Sequence, residues 1–225
     1  NPTLMKTSEL NTFLFDFRVE IMAVLLTTVV FGGGIAPSRI FDDFVFPMII
    51  LLLSIVAIIT ARNQKKFIQF IFSGFGFLAI TAMIIRLLDQ QLEEVRAISL
   101  IFFILFLSIL SYEVFRQMLK EKEITLSIIF AAFDCYLLLG VLGAMLFTLM
   151  VMVNPDSFTN VQEDMHVFDK MNYFSFITLT SIGYGDITPA TVVAEKVTAF
   201  YGLIGHFYSV VFVGIIVGIY VGSRS

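Results

Sequence analysis

Residues 178–186 read Thr-Leu-Thr-Ser-Ile-Gly-Tyr-Gly-Asp, and this short segment decides how the rest of the chain is interpreted. An apolar stretch over 168–179 leads into it. That stretch is too short to cross a bilayer, because a transmembrane helix needs about 20 apolar residues. Longer apolar stretches over 124–153 and 191–221 flank it. We therefore expect the segment to enter the membrane and turn back, which irregular backbone does only where it is buried in protein or lines a water-filled path.

The two glycines of the segment, Gly183 and Gly185, bracket Tyr184. Glycine adopts positive φ readily, so these positions can turn successive carbonyls to one side. Four such segments around an axis would form stacked rings of carbonyl oxygens that replace the hydration shell of a cation. The pattern therefore indicates a path for cations.

The composition excludes an ordinary soluble domain. Apolar residues make up 58% of the 225 residues and charged residues 14%, with a mean hydropathy of +0.94, whereas soluble domains have about 45–50% and about 25%. A net charge of −4 without a basic cluster argues against nucleic-acid binding. One cysteine, Cys135, excludes a disulfide within the chain, and the two histidines have no metal-ligand spacing. We find no paired carboxylates, nucleophile–base pair or nucleotide loop, so we expect neither an enzyme nor a cofactor.

Six apolar stretches predict six transmembrane helices, and the distribution of basic residues predicts their orientation. The stretches are 19–35, 44–60, 67–85, 97–115, 124–153 and 191–221. Nine of the 14 Lys and Arg residues fall on one side of this arrangement and five on the other. Because basic residues favour the cytoplasmic side, we predict a multi-pass plasma-membrane protein with both termini in the cytoplasm.

Residues 173–189, YFSFITLTSIGYGDITP, resemble the pore helix and selectivity filter of the potassium channel superfamily, most of all its bacterial six-transmembrane-helix type. The resemblance implies an all-α membrane protein with six transmembrane helices, a re-entrant pore helix and a filter loop. It implies a homotetramer in a lipid bilayer that conducts K⁺ as the permeant ion. The ion sites it implies are formed by Ser181, Ile182, Gly183 and Tyr184, with Gly185 completing the filter.

The sequence departs from the pattern of this family in three features, which involve four positions. Ser181 stands where a threonine is usual, and Tyr173 and Phe174 stand where many relatives have two tryptophans. Ile177 replaces a glutamate that some relatives carry behind the filter. Phenylalanine cannot donate a hydrogen bond, so we expect weaker bracing of the outer end, with Tyr173 reaching Asp186. The residues expected to support the filter are Thr180, Asp186, Tyr173, Phe174 and Ile177.

The last apolar stretch contains the expected gating residues. Gly205 lies where related inner helices carry a hinge glycine, although close helix packing is the alternative. His206 either faces the cavity below the filter or bonds between helices as a neutral side chain. With Val213 and Val217, which are close to where the inner helices are expected to cross, these residues are the candidate gate.

We divide the chain into a four-helix part over 1–115, an interfacial linker helix over 116–132 and a pore domain over 133–225. The fourth stretch, 97–115, contains no Lys or Arg. Steep voltage gating needs several charges within the membrane, so we expect a voltage-insensitive channel. The four helices then serve packing and insertion, or hold a ligand or lipid that the sequence does not specify. The linker would place Asp134 near the inner interface, as a capping or pairing residue.

The functional prediction is a K⁺-selective channel subunit that conducts passively. Two alternatives remain open at this stage: a non-selective cation channel, because Gly-Tyr-Gly alone does not guarantee rejection of Na⁺, and a non-conducting regulatory or sensory membrane subunit.

Overall fold

The structure is a computed structural model, and it describes residues 15–34, 46–60, 69–75, 77–78, 81, 93–120, 125–161 and 167–222. These residues form α-helices joined by turns and irregular segments, with one isolated β-bridge between Phe158 and Pro189. The named helices are α1 (Arg18–Phe31), α2 (Phe46–Thr60), α3 (Glu93–Met118), α4 (Leu126–Val153), α5 (Val167–Leu179) and α6 (Val192–Gly222). The all-α prediction is confirmed for the described residues.

Apolar composition and internally satisfied hydroxyls explain these helices. Serine and threonine side chains bond back to the carbonyl one turn earlier, as Ser54 does to Ile50 and Thr148 to Ala144. Such back-bonding removes an unpaired polar group where no water is available. Helix α4 begins after an N-cap, Thr125, whose hydroxyl accepts from the Ile128 N–H.

Two of the described helices are long and apolar enough to cross a membrane, Ala97–Met118 within α3 and Leu126–Val153. A shorter apolar helix covers Met48–Thr60. Helices α1, α2, α3, α4 and α6 coincide with five of the six expected stretches. The other one, 67–85, lies mostly outside the described residues.

Helix α4 lies at the centre of the molecule, in contact with α1, α3, α5 and α6. One core joins α1, α2 and α3 to the first half of α4, around fully buried Leu26, Leu107 and Leu138. A second core lies behind the re-entrant segment, around Phe147 and Met171. The four-helix part therefore packs against the pore part of its own chain.

The structure differs from two expectations between α3 and α4. Residues 116–118 end α3 and residues 126–132 are the first turns of α4, so the described residues contain no separate linker helix over 116–132. The apolar sequence of 126–132 continues the helix that follows it. Asp134 does not cap a helix: it lies within α4 and is fully buried.

Candidate functional site at the re-entrant segment

The segment after α5 folds back onto the end of that helix. The Thr180 N–H donates to the Phe176 carbonyl (2.9 Å), and the N–H groups of Ile182 and Gly183 both donate to the Ile177 carbonyl (2.9 and 3.1 Å). The Thr180 hydroxyl also donates to the Phe176 carbonyl (2.7 Å). These bonds use the free carbonyls that every helix leaves at its C-terminus and fix the start of the segment against α5.

Positive backbone φ alternates along the segment. Ser181, Gly183 and Gly185 have φ of 59°, 55° and 80°, and the residues between them do not share this conformation. A Cβ at either glycine would meet no atom within 4 Å, so backbone conformation and not crowding requires glycine there. This alternation is the geometry that turns successive carbonyls to one side. The sequence pattern predicts it for the glycines but not for Ser181, because serine rarely adopts positive φ.

The outer end of the segment is held from two directions. The Tyr173 hydroxyl is hydrogen-bonded to Asp186, and this bond, followed by partial burial and the Asp186 charge, raises the pKa of Tyr173. Tyr173 therefore lies beside Asp186, and its role in supporting the filter stays a prediction. Asn160, in the loop after α4, donates from Nδ2 to the Asp186 carbonyl (2.7 Å). Sequence reasoning missed this second contact because Asn160 is far from the motif along the chain.

The same loop contributes a small hydrogen-bonded network beside the segment. The Thr159 N–H donates to the Thr188 carbonyl (2.8 Å) and the Ala190 N–H to the Ser157 carbonyl (2.8 Å). The two threonine hydroxyls lie 2.8 Å apart. These contacts hold the outer end of the segment, which has Tyr173 and Phe174 where two tryptophans are usual.

Phe174 and Ile177 face away from the segment into the second core. The Phe174 ring makes edge-to-face contacts with Phe147 and Phe158, at centroid distances of 5.1 and 5.2 Å. Ile177 is buried, and its carbonyl receives the two N–H groups described above. Both residues therefore support the segment through packing and backbone.

A buried hydroxyl pair joins α5 to α4 and α6. The Ser175 hydroxyl is 2.6 Å from the Gly140 carbonyl and 2.7 Å from the Tyr201 hydroxyl, which is 3.0 Å from the Leu139 carbonyl. Two hydroxyl protons are shared among three contacts, so at any moment one of the three contacts lacks a proton of its own. A Cβ at Gly143 would come within 2.5 Å of the Ser175 Oγ, which explains a glycine at that position. No motif in the sequence indicates this cluster.

Helix α6 packs closely on the end of α5 at Gly205. A Cβ there would lie 2.6 Å from Leu179 Cδ1 and 2.8 Å from the Leu179 carbonyl oxygen. Close packing is therefore a sufficient reason for this glycine, and its role as a hinge stays a prediction. His206 is exposed on the surface of the single chain. Val213 and Val217 belong to α6, but their side chains lie outside the described residues.

Two apolar surfaces near the segment are uncovered in the single chain. The side chains of Ile182 and Tyr184 are exposed. On α6 an apolar stripe runs along one helix face and consists of Phe200, Leu203, Phe207 and Val210. The described chain leaves this stripe without a covering element.

The end of α1 touches α5 directly. Asn172 donates from Nδ2 to the Val30 carbonyl (2.9 Å), and Gly33 lies so close to Asp169 that a Cβ would be 2.9 Å from its Oδ1. The four-helix part thus contacts the helix that carries the re-entrant segment.

Comparison with known proteins identifies the same part of the chain. Residues 123–221 match a family described as "Ion channel", starting before the pore-domain boundary expected at 133. The chain is also 41% identical over 70 residues to "Two-pore potassium channel 2" of Arabidopsis thaliana, a match that covers 31% of this chain and 14% of that relative. In its re-entrant segment and the helices around it, this membrane protein resembles the potassium channel superfamily.

Proposed function

We propose that the chain is a subunit of a homotetrameric, K⁺-selective channel of the plasma membrane, with both termini in the cytoplasm. The observation that supports this most strongly is the alternating positive φ at Ser181, Gly183 and Gly185. It occurs at the end of a short helix, within the region similar to ion channels.

Conduction in this proposal uses backbone carbonyls. Those of Ser181, Ile182, Gly183 and Tyr184 replace water around a dehydrated K⁺ ion, with the Ser181 hydroxyl at the innermost site. Helix α5 ends at the start of this segment, and the C-terminal end of a helix carries partial negative charge that favours a cation. Gly185 and Asp186 close the outer end.

The chain's other residues keep the carbonyls in place. The Ile177 carbonyl fixes the N–H groups of Ile182 and Gly183, and Tyr173 and Asn160 hold Asp186. A rigid segment matters because the favourable carbonyl positions must exist before the ion arrives. The buried pair Ser175–Tyr201 anchors α5 itself.

The uncovered apolar surfaces support assembly around an axis. Exposed contiguous apolar surface marks interaction sites or lipid contact. The exposed side chains of the filter segment and the α6 apolar stripe would meet neighbouring copies in a tetramer, with His206 close to the cavity below the filter. A ring of carbonyl oxygens around a four-fold axis also requires four chains.

Ion flux from purified protein in liposomes tests the proposal. We expect K⁺ flux that barium blocks, and reversal potentials in asymmetric K⁺ and Na⁺ that follow K⁺. Gly183→Ala should lower flux strongly, because a second non-glycine residue at positive φ adds a cost of roughly 1–2 kcal/mol in each subunit. Gly202→Ala is the matched control and should retain flux, since its Cβ would make only an ordinary contact, 3.8 Å from Thr178 Cγ2.

The same measurement separates the alternatives. Equal permeation of Na⁺ and K⁺ would establish a non-selective cation channel. No flux from correctly assembled protein would favour a non-conducting regulatory or sensory subunit.

A further inference from the structure

Asp134 is a buried acid outside the proposed conduction path. It lies on α4, its side chain is 0% exposed, and among the described residues neither carboxyl oxygen has a hydrogen-bond partner. The burial is complete within one chain, so a neighbouring copy would not reach this side chain without displacing a helix. Buried polar groups are paired in the great majority of cases, so this acid needs an explanation.

A second acid, Glu20, lies on α1 near the first two turns of α4. Glu20 interacts electrostatically with Asp134. The Glu20 Oε2 atom is also buried without a hydrogen-bond partner in the described part of the chain, and Oε1 is 3.5 Å from the Ser127 hydroxyl. Two acids of α1 and α4 thus share one interface.

The neighbours of Asp134 on α4 and α6 are uncharged. Cys135 is the adjacent residue on α4, and Tyr208 faces the pair from α6. The Tyr208 hydroxyl donates to the Ala132 carbonyl (2.7 Å), so its proton is directed elsewhere. This bond joins α6 to α4 two residues before Asp134.

Arg116 on α3 and Arg18 on α1 are engaged by groups other than Asp134. On α3, Arg116 donates from Nη2 to both carboxyl oxygens of Glu113 (2.9 and 3.0 Å). On α1, Arg18 donates from Nη1 to the Phe15 carbonyl (2.6 Å) and lies over the Phe15 ring. Neither forms an ion pair with Asp134 in the described residues.

A cavity of about 230 Å³ lies between α1, α3 and the first turns of α4. Ser127 and Ala131 are in its wall, and Ala131 is one turn before Asp134 on the same face of α4. Asp134 itself lies about 12 Å along the axis from the start of α4. The cavity therefore ends one helical turn from the acid.

A carboxylate in these surroundings is strongly disfavoured. An ionised group buried without a partner costs far more than a neutral one, and a second carboxylate nearby adds to that cost. We propose that Asp134, together with Glu20, is a proton-binding site at the junction of α1, α4 and α6, and that its loading from the inner solution sets the open fraction of the channel. The effect on the open fraction rests on the proposed function; the proton site itself does not.

Loss of the proton changes the contact between the four-helix part and the pore part. The acid releases H⁺ to the inner solution and becomes a carboxylate, which repels Glu20 across the α1–α4 interface. Any movement of α4 is passed to the inner helix α6 through the Tyr208–Ala132 hydrogen bond. Protonation of Asp134 thus tightens the contact between α1 and α4, and deprotonation loosens it.

Infrared titration of the reconstituted wild-type protein tests the proton site without requiring conduction. A protonated acid has a carbonyl stretching band that a carboxylate lacks. We expect such a band at pH 7 that disappears as the pH is raised, and that is missing in Asp134→Asn. Asp16→Asn, which removes an exposed acid beside α1, should leave the band intact. A wild-type protein without the band at pH 7, or a band that persists in Asp134→Asn, would overturn the site.

Glu20→Gln is a second variant, in which Asp134 is retained. Removing the like charge should move the midpoint of the band to lower pH, because the carboxylate of Asp134 is then less disfavoured. An unchanged midpoint would show that Glu20 is not part of the site.

Flux between pH 7 and 9 on the inner side tests the regulatory effect. We expect wild-type flux to change over this range and Asp134→Asn flux to stay constant. A titrating infrared band with constant wild-type flux would refute the coupling while leaving both the proton site and the channel function standing.

Discussion

At the scale of single residues, substitution of Gly205 tests whether this glycine is needed for close helix packing or as a hinge. Gly205→Ala should destabilise the protein by about 1–2 kcal/mol. Overpacking costs about 1–3 kcal/mol, and the better helix propensity of alanine returns up to about 1 kcal/mol. The Leu179 carbonyl oxygen, 2.8 Å from the added Cβ, is backbone and yields little. Thermal unfolding in detergent measures the change.

Gly202→Ala is the control for that measurement, three residues earlier on the same helix. It should be neutral or slightly stabilising, because its Cβ would meet only Thr178 Cγ2 at 3.8 Å. If Gly205→Ala were as stable as Gly202→Ala but opened less often, the glycine would be a hinge and the packing explanation would fail.

The buried Ser175–Tyr201 pair should behave as one unit. Ser175→Ala and Tyr201→Phe each remove one of two hydroxyls that share three contacts. Each should cost about 1–2 kcal/mol of stability. The double variant should cost less than the sum by about 0.5 kcal/mol or more, since coupled residues are not additive. A double-mutant cycle by thermal unfolding checks this, and strict additivity would count against a shared proton.

Individual residues also show how far sequence reasoning reaches. The positive φ of Gly183 and Gly185 follows from glycine's own freedom, and the proximity of Tyr173 to Asp186 is what the resemblance to potassium channels implies. The positive φ of Ser181 and the Asn160–Asp186 bond do not. The Asn160–Asp186 bond depends on how a distant loop packs against the segment. Ser181 adopts its conformation where the chain folds back onto the C-terminus of α5, which apolar pattern and glycine positions do not indicate.

Among the helices, α3 carries the prediction about voltage. Residues 97–115 contain no Lys or Arg, and Arg116 at the helix end is paired with Glu113. Moving one charge across the membrane yields about 2.3 kcal/mol per 100 mV. A helix with no Lys or Arg inside the membrane therefore gains little energy for gating from the membrane voltage. The conductance of reconstituted channels should vary only weakly with voltage. A steep curve corresponding to several gating charges would refute it.

Helix positions were predictable where length and apolar composition agree, as for α1, α2 and α6. The boundary between α3 and α4 was not. Apolar length alone left excess residues before the pore, which suggested a separate linker helix, yet 126–132 form the first turns of α4. The N-cap Thr125 marks the true start. A capping residue is a better guide to a helix end than the distance needed to cross a membrane.

For the whole molecule, the decisive prediction concerns assembly through the α6 apolar stripe. Phe207 is 69% exposed in the single chain, and we expect neighbouring copies to cover it. Phe207→Ser should lower the tetrameric fraction, because it removes apolar area worth roughly 1.5–3 kcal/mol per fully buried large side chain from each subunit contact. Native mass spectrometry of the protein in detergent measures that fraction.

Tyr112→Ser is the matched control on α3. Tyr112 is similarly exposed, at 67%, but it belongs to the four-helix part and not to α6, so its loss should leave the tetrameric fraction unchanged. If both variants lowered the fraction equally, the effect would reflect general loss of apolar surface. If neither did, the stripe would face lipid or the pore, and assembly would depend on other contacts.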